Sequence, residues 1–149
     1  MIGKAINKLK IGDKAQFSKT ISESDIYLYA GVTGDFNPAH INETFAKETH
    51  FKTRIAHGML LAGFISTVIG NQLPGPGTIY LRQELNFLAP VIIGDTITAE
   101  VEVMEILEEK KHVRLITTCL DQHGRKVLDG EATVSPPRAS LLRREVENR

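Results

Sequence analysis

The chain of 149 residues has one cysteine, no surplus of either charge, and no apolar run long enough to span a bilayer. Cys119 therefore has no partner for an internal disulfide. Its place in the β-like run HVRLITTCL predicts a buried structural thiol, not a nucleophile. Eighteen Lys and Arg balance eighteen Asp and Glu, so no global field draws in nucleic acid or an anionic membrane. Neither is expected as a partner. The most apolar stretch, GMLLAGFISTVIG at residues 58–70, is too short to cross a membrane. The opening MIGKAINKLKIGD starts positive but lacks an apolar core, so no export signal is expected and a reducing cytoplasm is the expected compartment.

What is present is enough for one domain, residues 1–149, a length at which about 68–70% of the unfolded surface is buried. The stretch KIGDKAQFSKTI predicts a turn and then a strand. In SESDIYLYAGVTG, a serine cap, acids in the first turn and glycines near the end predict a helix. NETFAKETH suits a short helix capped by Asn42. The run from about Met59 to Asn71 is apolar all round, which predicts a helix buried on every side, and LPGPG stops it. The second half alternates with a period of two. TIYLRQELNFL, DTITAEVEVMEI, HVRLITTCL and KVLDGEATV predict four strands in an antiparallel meander, curled around the apolar helix. The fold class is α+β, and residues 136–149 are expected as a charged, flexible tail.

The chemistry is concentrated in TGDFNPAH, residues 33–40. Gly34 is free to take backbone angles that other residues avoid, and Pro38 stiffens the following turn. A turn about Pro38 can bring the Asp35 carboxylate and the His40 imidazole to one centre. An acid–base pair that holds a water is the minimum needed to add water across an activated double bond. The same residues would also serve a purely structural turn, with Asp35 bonding a nearby amide. Gly58 opens the apolar helix, where free amides carry partial positive charge and the missing side chain lets a ligand reach the backbone. A thioester carbonyl would be polarised there, and an enolate stabilised. Tight helix packing is the plainer use of the same glycine.

The stretch YAGVTGDFNPAHINETFA, residues 29–46, resembles the signature of the MaoC-like, R-specific enoyl-CoA hydratases, the hydratase 2 group. The matching positions are Tyr29, Thr33, Gly34, Asp35, Asn37, Pro38, His40 and Ala46. AHGMLLAGFIS and the block from Leu73 onward resemble later parts of the family, so the likeness runs over residues 11–134. Ala39 departs from it, standing where the family has a larger aliphatic. The resemblance implies a single hot-dog domain, an antiparallel sheet wrapped around a long central helix, assembled as a homodimer. It implies Asp35 and His40 as the catalytic dyad, Gly58 as the oxyanion contact and Ser66 as a pocket residue. The implied reaction is reversible hydration of a trans-2-enoyl thioester to the (R)-3-hydroxyacyl thioester, a hydro-lyase step of fatty acid or polyhydroxyalkanoate metabolism. No metal or other cofactor is required for it.

Four other readings use the same residues. A thioesterase would carry a carboxylate on or beside the central helix, and GMLLAGFISTVIGNQ has none. A metal site would need compact ligand spacing, which Asp35, His40, His50 and His57 lack. An acyl-carrier-protein dehydratase, or a non-catalytic acyl-thioester-binding subunit, would keep the same pocket. Lys52 and Arg54 are candidate contacts for the phosphates of the carrier.

Overall fold

The computed structural model describes residues 2–139, so most of the expected tail, 140–149, lies outside the described residues. After a 3-10 turn at Ile6–Lys8, strand β1 spans Lys14–Thr20 and helix α1 spans Glu23–Thr33. Two short helices follow, α2 at Pro38–Ile41 and α3 at Glu43–Glu48. Helix α4 is Gly58–Asn71, and the remaining strands are β2 (Ile79–Phe87), β3 (Thr96–Leu107), β4 (His112–Leu120) and β5 (Lys126–Ser135).

Local chemistry explains the ends of α1. Ser22 Oγ accepts from the Asp25 amide at 3.1 Å, and Asp25 Oδ2 accepts from the Ser22 amide at 2.9 Å. This reciprocal pair satisfies two donors that a helix start leaves open. At the other end Gly34 adopts φ 81°, and its amide closes on the Ala30 carbonyl at 2.8 Å. Left-handed backbone of this kind favours glycine. The chain therefore leaves α1 at a fixed angle, straight into the segment that carries Asp35.

The strands form one antiparallel sheet in the order β1-β3-β4-β5-β2. Strands β3, β4 and β5 make the expected meander, but β2 does not join it next to β3. It crosses to the far edge and pairs with β5, Leu85 opposite Gly130 and Phe87 opposite Leu128. The physical reason lies in residues 88–95. Tight hairpins use two to five turn residues, whereas this longer link contains Pro90, and its Val91 is buried. Val91 also accepts the Ala56 amide at 2.7 Å, so the link closes over the entry to α4. An eight-residue link reaches roughly 26 Å when extended, ample to cross three strand spacings of about 4.8 Å.

Helix α4 lies in the concave face of this sheet. Leu61, Phe64, Ile65, Val68 and Ile69 are buried there, against Ile97, Ala99, Val101 and Leu115 among others. Each such burial stabilises the fold by about 1.5–3 kcal/mol. Burial on every side is not found within the single chain. Met59, Gly63, Ser66 and Gly70 form an exposed line along the opposite face. Composition could not separate the two faces, because small and apolar residues fill both. The layout is the hot-dog arrangement, a curled antiparallel sheet around one central helix.

Cys119 is fully buried on β4 and unpaired, as its sequence context predicts. Burial pushes its thiol up to about 12. At pH 8 the thiolate fraction is then roughly 10⁻⁴, so native protein should resist iodoacetamide and become alkylated only after denaturation. Intact mass after timed labelling checks this. Truncating Ile65 to Ala should cost about 2–5 kcal/mol in urea unfolding, because the sheet cannot collapse onto the space left.

Candidate active site

Residues 34–37 are an ordered connection between α1 and α2. Thr33 Oγ1 donates to the Tyr29 carbonyl at 2.8 Å and accepts the Asp35 amide at 3.2 Å. Asp35 Oδ1 accepts the Asn37 amide at 3.2 Å, and Asn37 Oδ1 accepts the Ala39 amide at 3.1 Å. Asn37 thereby caps α2, with Pro38 at its first position. Asp35 uses one carboxylate oxygen on this turn and remains exposed, so its other oxygen is open. The turn bond therefore leaves one Asp35 oxygen available for acid–base chemistry.

His40 is buried to 9% exposure on the last turn of α2. Its Nδ1 lies 2.8 Å from the Ile55 carbonyl oxygen, which can only accept. The proton is therefore on Nδ1, and Nε2 is left free to take or deliver a proton. A nitrogen of His40, a nitrogen of His57 and a carboxylate oxygen of Asp35 lie within 4.8 Å of one another. The expected pair thus meets as a turn about Pro38 allows, and a third group joins it.

His57 is that third group, 2% exposed and expected from sequence to be structural or solvent-facing. Its ring stacks on His40 with centroids 3.9 Å apart and planes at 30°. Its Nε2 donates to the Asp35 carbonyl at 3.0 Å. No spacing rule signals this, since the partners lie 22 and 17 positions away in the sequence. Three donors of this kind raise the question of a metal. In two nearly parallel stacked rings the in-plane lone pairs run side by side, whereas a tetrahedral ion needs them aimed at one point about 2.0–2.1 Å from each nitrogen. The arrangement suits stacking better than chelation. His50 lies elsewhere, exposed and stacked on Phe51 at 3.9 Å.

Gly58 is the first residue of α4, with His57 as its N-cap. A helix leaves its first amides without intrahelical partners, so the Gly58 N–H is available at the positive end of the helix dipole. A Cβ at this position would come 2.6 Å from the Phe87 ring, so the bare backbone is what lets β2 close over the helix start. Gly58 and His40 line a cavity of about 430 Å³ whose other walls include Phe51, Met59, Phe87 and Leu88. That volume suits a small or medium organic ligand, and the wall is mainly apolar. Ser66 lies two turns further along α4, on the exposed face, and does not line this cavity.

Arg54 has a different task from the one its charge suggested. It pairs with Glu23 at 3.0 Å and with Glu43 at 3.1 Å, and donates to the Tyr27 hydroxyl at 2.8 Å. Hydrogen bonds from Tyr27 and Arg54, then the guanidinium charge, hold the Glu23 carboxyl below the usual range. Arg54 is thus committed to joining α1 and α3 to the segment that supplies the Ile55 carbonyl and His57. Lys52, exposed beside Phe51 of the cavity wall, is the remaining phosphate candidate of the two.

An acid and an imidazole within 4.8 Å of each other thus lie beside the bare start of the central helix of a hot-dog fold, and that helix carries no carboxylate. The MaoC like domain model matches residues 7–122, and the chain belongs to this MaoC-like family. It is 60% identical over 129 residues to an (R)-specific enoyl-CoA hydratase of Rhodospirillum rubrum, covering 87% of this chain and 89% of the relative. The unliganded R-hydratase PhaJ1 of Pseudomonas aeruginosa superposes with a TM-score of 0.87 at 46% identity, covering 91% of this chain and 87% of that one. The (R)-hydratase of A. caviae, involved in PHA biosynthesis, gives a TM-score of 0.84 at 44% identity, over 87% and 98%.

Replacing Arg54 with Met should lower the melting temperature by roughly 2–8 °C, because three partners on two helices lose their common donor. Lys52→Met should leave it unchanged. Thermal melts followed by circular dichroism compare the two.

Proposed function

We propose that Asp35 and His40 act jointly on a water held between them, in an (R)-specific enoyl-CoA hydratase that interconverts trans-2-enoyl-CoA and (R)-3-hydroxyacyl-CoA. The observation that carries this reading is a ring nitrogen of His40 within 4.8 Å of a carboxylate oxygen of Asp35, in an imidazole whose Nδ1–H bond to Ile55 leaves Nε2 for proton transfer. The 60% identity to a hydratase over most of both chains supports the same reaction.

The proton inventory follows from the tautomer. The active dyad holds one proton between the Asp35 carboxyl and His40 Nε2. The unprotonated partner takes a proton from water as oxygen bonds to C3. The protonated partner delivers its own to C2 on the same face, and the dyad ends with its proton exchanged between the two sites. Meanwhile the thioester oxygen, pointing at the Gly58 amide, carries the enolate charge at the positive end of α4. The apolar cavity accepts the acyl chain and keeps bulk water from the enolate. The chemistry is complete with these groups and the substrate alone.

A homodimer completes the proposal. Strand β2 is an open sheet edge, and Ile79, Leu81, Phe87 and Leu88 on and just beyond it are 61%, 48%, 55% and 51% exposed. An unpaired apolar edge of this length is a ready template for a second copy. Ser66 belongs to the proposed substrate pocket through the exposed face of α4, where it meets substrate once that face is covered. The buried, unpaired Cys119 fits the reducing cytoplasm. The whole chain 1–149 acts as one domain in this proposal.

Purified protein should consume crotonyl-CoA, seen as loss of the enoyl-thioester ultraviolet absorbance, and chiral analysis should return the (R)-3-hydroxy product. Asp35→Asn and His40→Gln should each lower kcat by about 10²–10⁴-fold. Free coenzyme A as the product would instead mean hydrolysis, and intact enoyl thioesters of every chain length and carrier would leave a binding subunit. Light scattering should give a dimer mass, reduced to the monomer by Leu81→Lys.

A further inference from the structure

We propose that His57 is a positioning residue that holds the acid, the base and the oxyanion amide in register, and this inference rests on the hydratase reading. Two contacts leave the buried ring of His57, and its backbone supplies a third link. Its Nε2–H holds the Asp35 carbonyl at 3.0 Å, its face packs on His40 at 3.9 Å, and its own carbonyl carbon is bonded to the Gly58 nitrogen. Tyr29 closes the remaining side, its ring centroid 4.7 Å away at 54°. Each catalytic group therefore has its neighbour of fixed position in His57: one by hydrogen bond, one by stacking, one by the peptide bond.

The tautomer makes the argument sharper. A carbonyl oxygen only accepts, so the Nε2 of His57 carries the proton and Nδ1 is a bare lone pair. That Nδ1 is buried and has no hydrogen-bond partner among the described residues. Buried polar atoms are nearly always paired, and an apolar side chain of similar size would avoid the cost of this one. Packing alone would thus favour an apolar residue at position 57. What only a donor-bearing side chain supplies is the hold on the Asp35 carbonyl. That carbonyl belongs to the residue whose side chain does the chemistry, and it follows Gly34, the left-handed exit from α1. Without the hold, residues 34–37 keep their own short turn bonds but lose the one hydrogen bond that, among the described residues, ties them to the start of α4.

His57 does not need to touch substrate for this. Misplacing a reacting group by about 1 Å costs on the order of 10²-fold in rate, with binding of the remote parts of the substrate unaffected. The signature is a fall in kcat at near-constant KM.

The test uses two replacements that divide the ring's functions. Gln places an amide N–H close to where Nε2 stands and can still donate to the Asp35 carbonyl. Phe keeps an aromatic face against His40 but cannot donate. In the crotonyl-CoA assay His57→Phe should lose about 10–100-fold in kcat with KM changed less than threefold, and His57→Gln should recover at least a third of wild-type kcat. Amide hydrogen exchange at Asp35 and Asn37 should quicken in the Phe variant and stay near wild type in the Gln variant. The exchange readout needs no activity, and melting curves show whether each variant is folded. An active wild type together with a folded Phe variant of equal kcat and unchanged exchange would overturn the positioning role. A loss in Phe that appears only in KM would overturn it too, as would a folded Gln variant no better than Phe. An inactive wild type sinks the hydratase reading instead, while the exchange comparison still decides whether His57 holds the Asp35 loop.

Discussion

The candidate active site depends on where α4 begins. That point is fixed because Leu61, Phe64, Ile65, Val68 and Ile69 are buried in the concave sheet, leaving the helix no freedom to slide or roll. One turn upstream of this anchored stripe stand His57 and Gly58, and one residue further back the Ala56 amide is bonded to Val91. Electrostatic catalysis needs donors placed before the charge develops, and a helix held by its apolar face provides that placement. The Asp35–His40 segment is less deeply embedded. It acquires its position from contacts to the entry of α4, through Ile55 and His57, more than from the core itself.

The split between rigid and borrowed order explains how the site handles polarity. His40 is nearly buried but has one nitrogen satisfied by a backbone carbonyl, so its other nitrogen can face the cavity without an unpaired partner behind it. Asp35 keeps its carboxylate at the surface and spends one oxygen on its own turn. The pair therefore combines a desolvated imidazole with a solvated carboxylate, within 4.8 Å of each other. Around them Arg54 gathers α1 and α3 with charge-assisted bonds, which makes the helical half of the molecule one unit without a second apolar core.

Much of this was legible in the sequence, for reasons that can be located. Period-two alternation exposed β3 and β4, a serine cap and two glycines marked the ends of α1, and Asp35, His40 and Gly58 stood out as candidates on a stiff loop and a bare helix start. What stayed hidden depended on pairing between distant segments. The alternation in β2 reports which faces its side chains occupy but says nothing of its neighbour, so its move to the far edge beside β5 could not be read. An apolar helix looks the same whether one face or both are covered, and the open line through Met59 and Ser66 escaped for that reason. His57 was expected to be structural or solvent-facing because its contacts are to a carbonyl and a ring, neither of which leaves a pattern.

Phe87 gives the architecture one further property. It stands on β2, an edge strand, yet its ring closes over Gly58 in the middle of the site. The ceiling of the cavity is thus carried by a strand that has only one strand neighbour to steady it. In the proposed homodimer, a second copy docked along that border would also set the headroom above the helix start. The acyl groups admitted and the pairing of the subunits would then be a single variable. Dilution of the protein would then be felt as a change of taste for substrates before it was felt as unfolding.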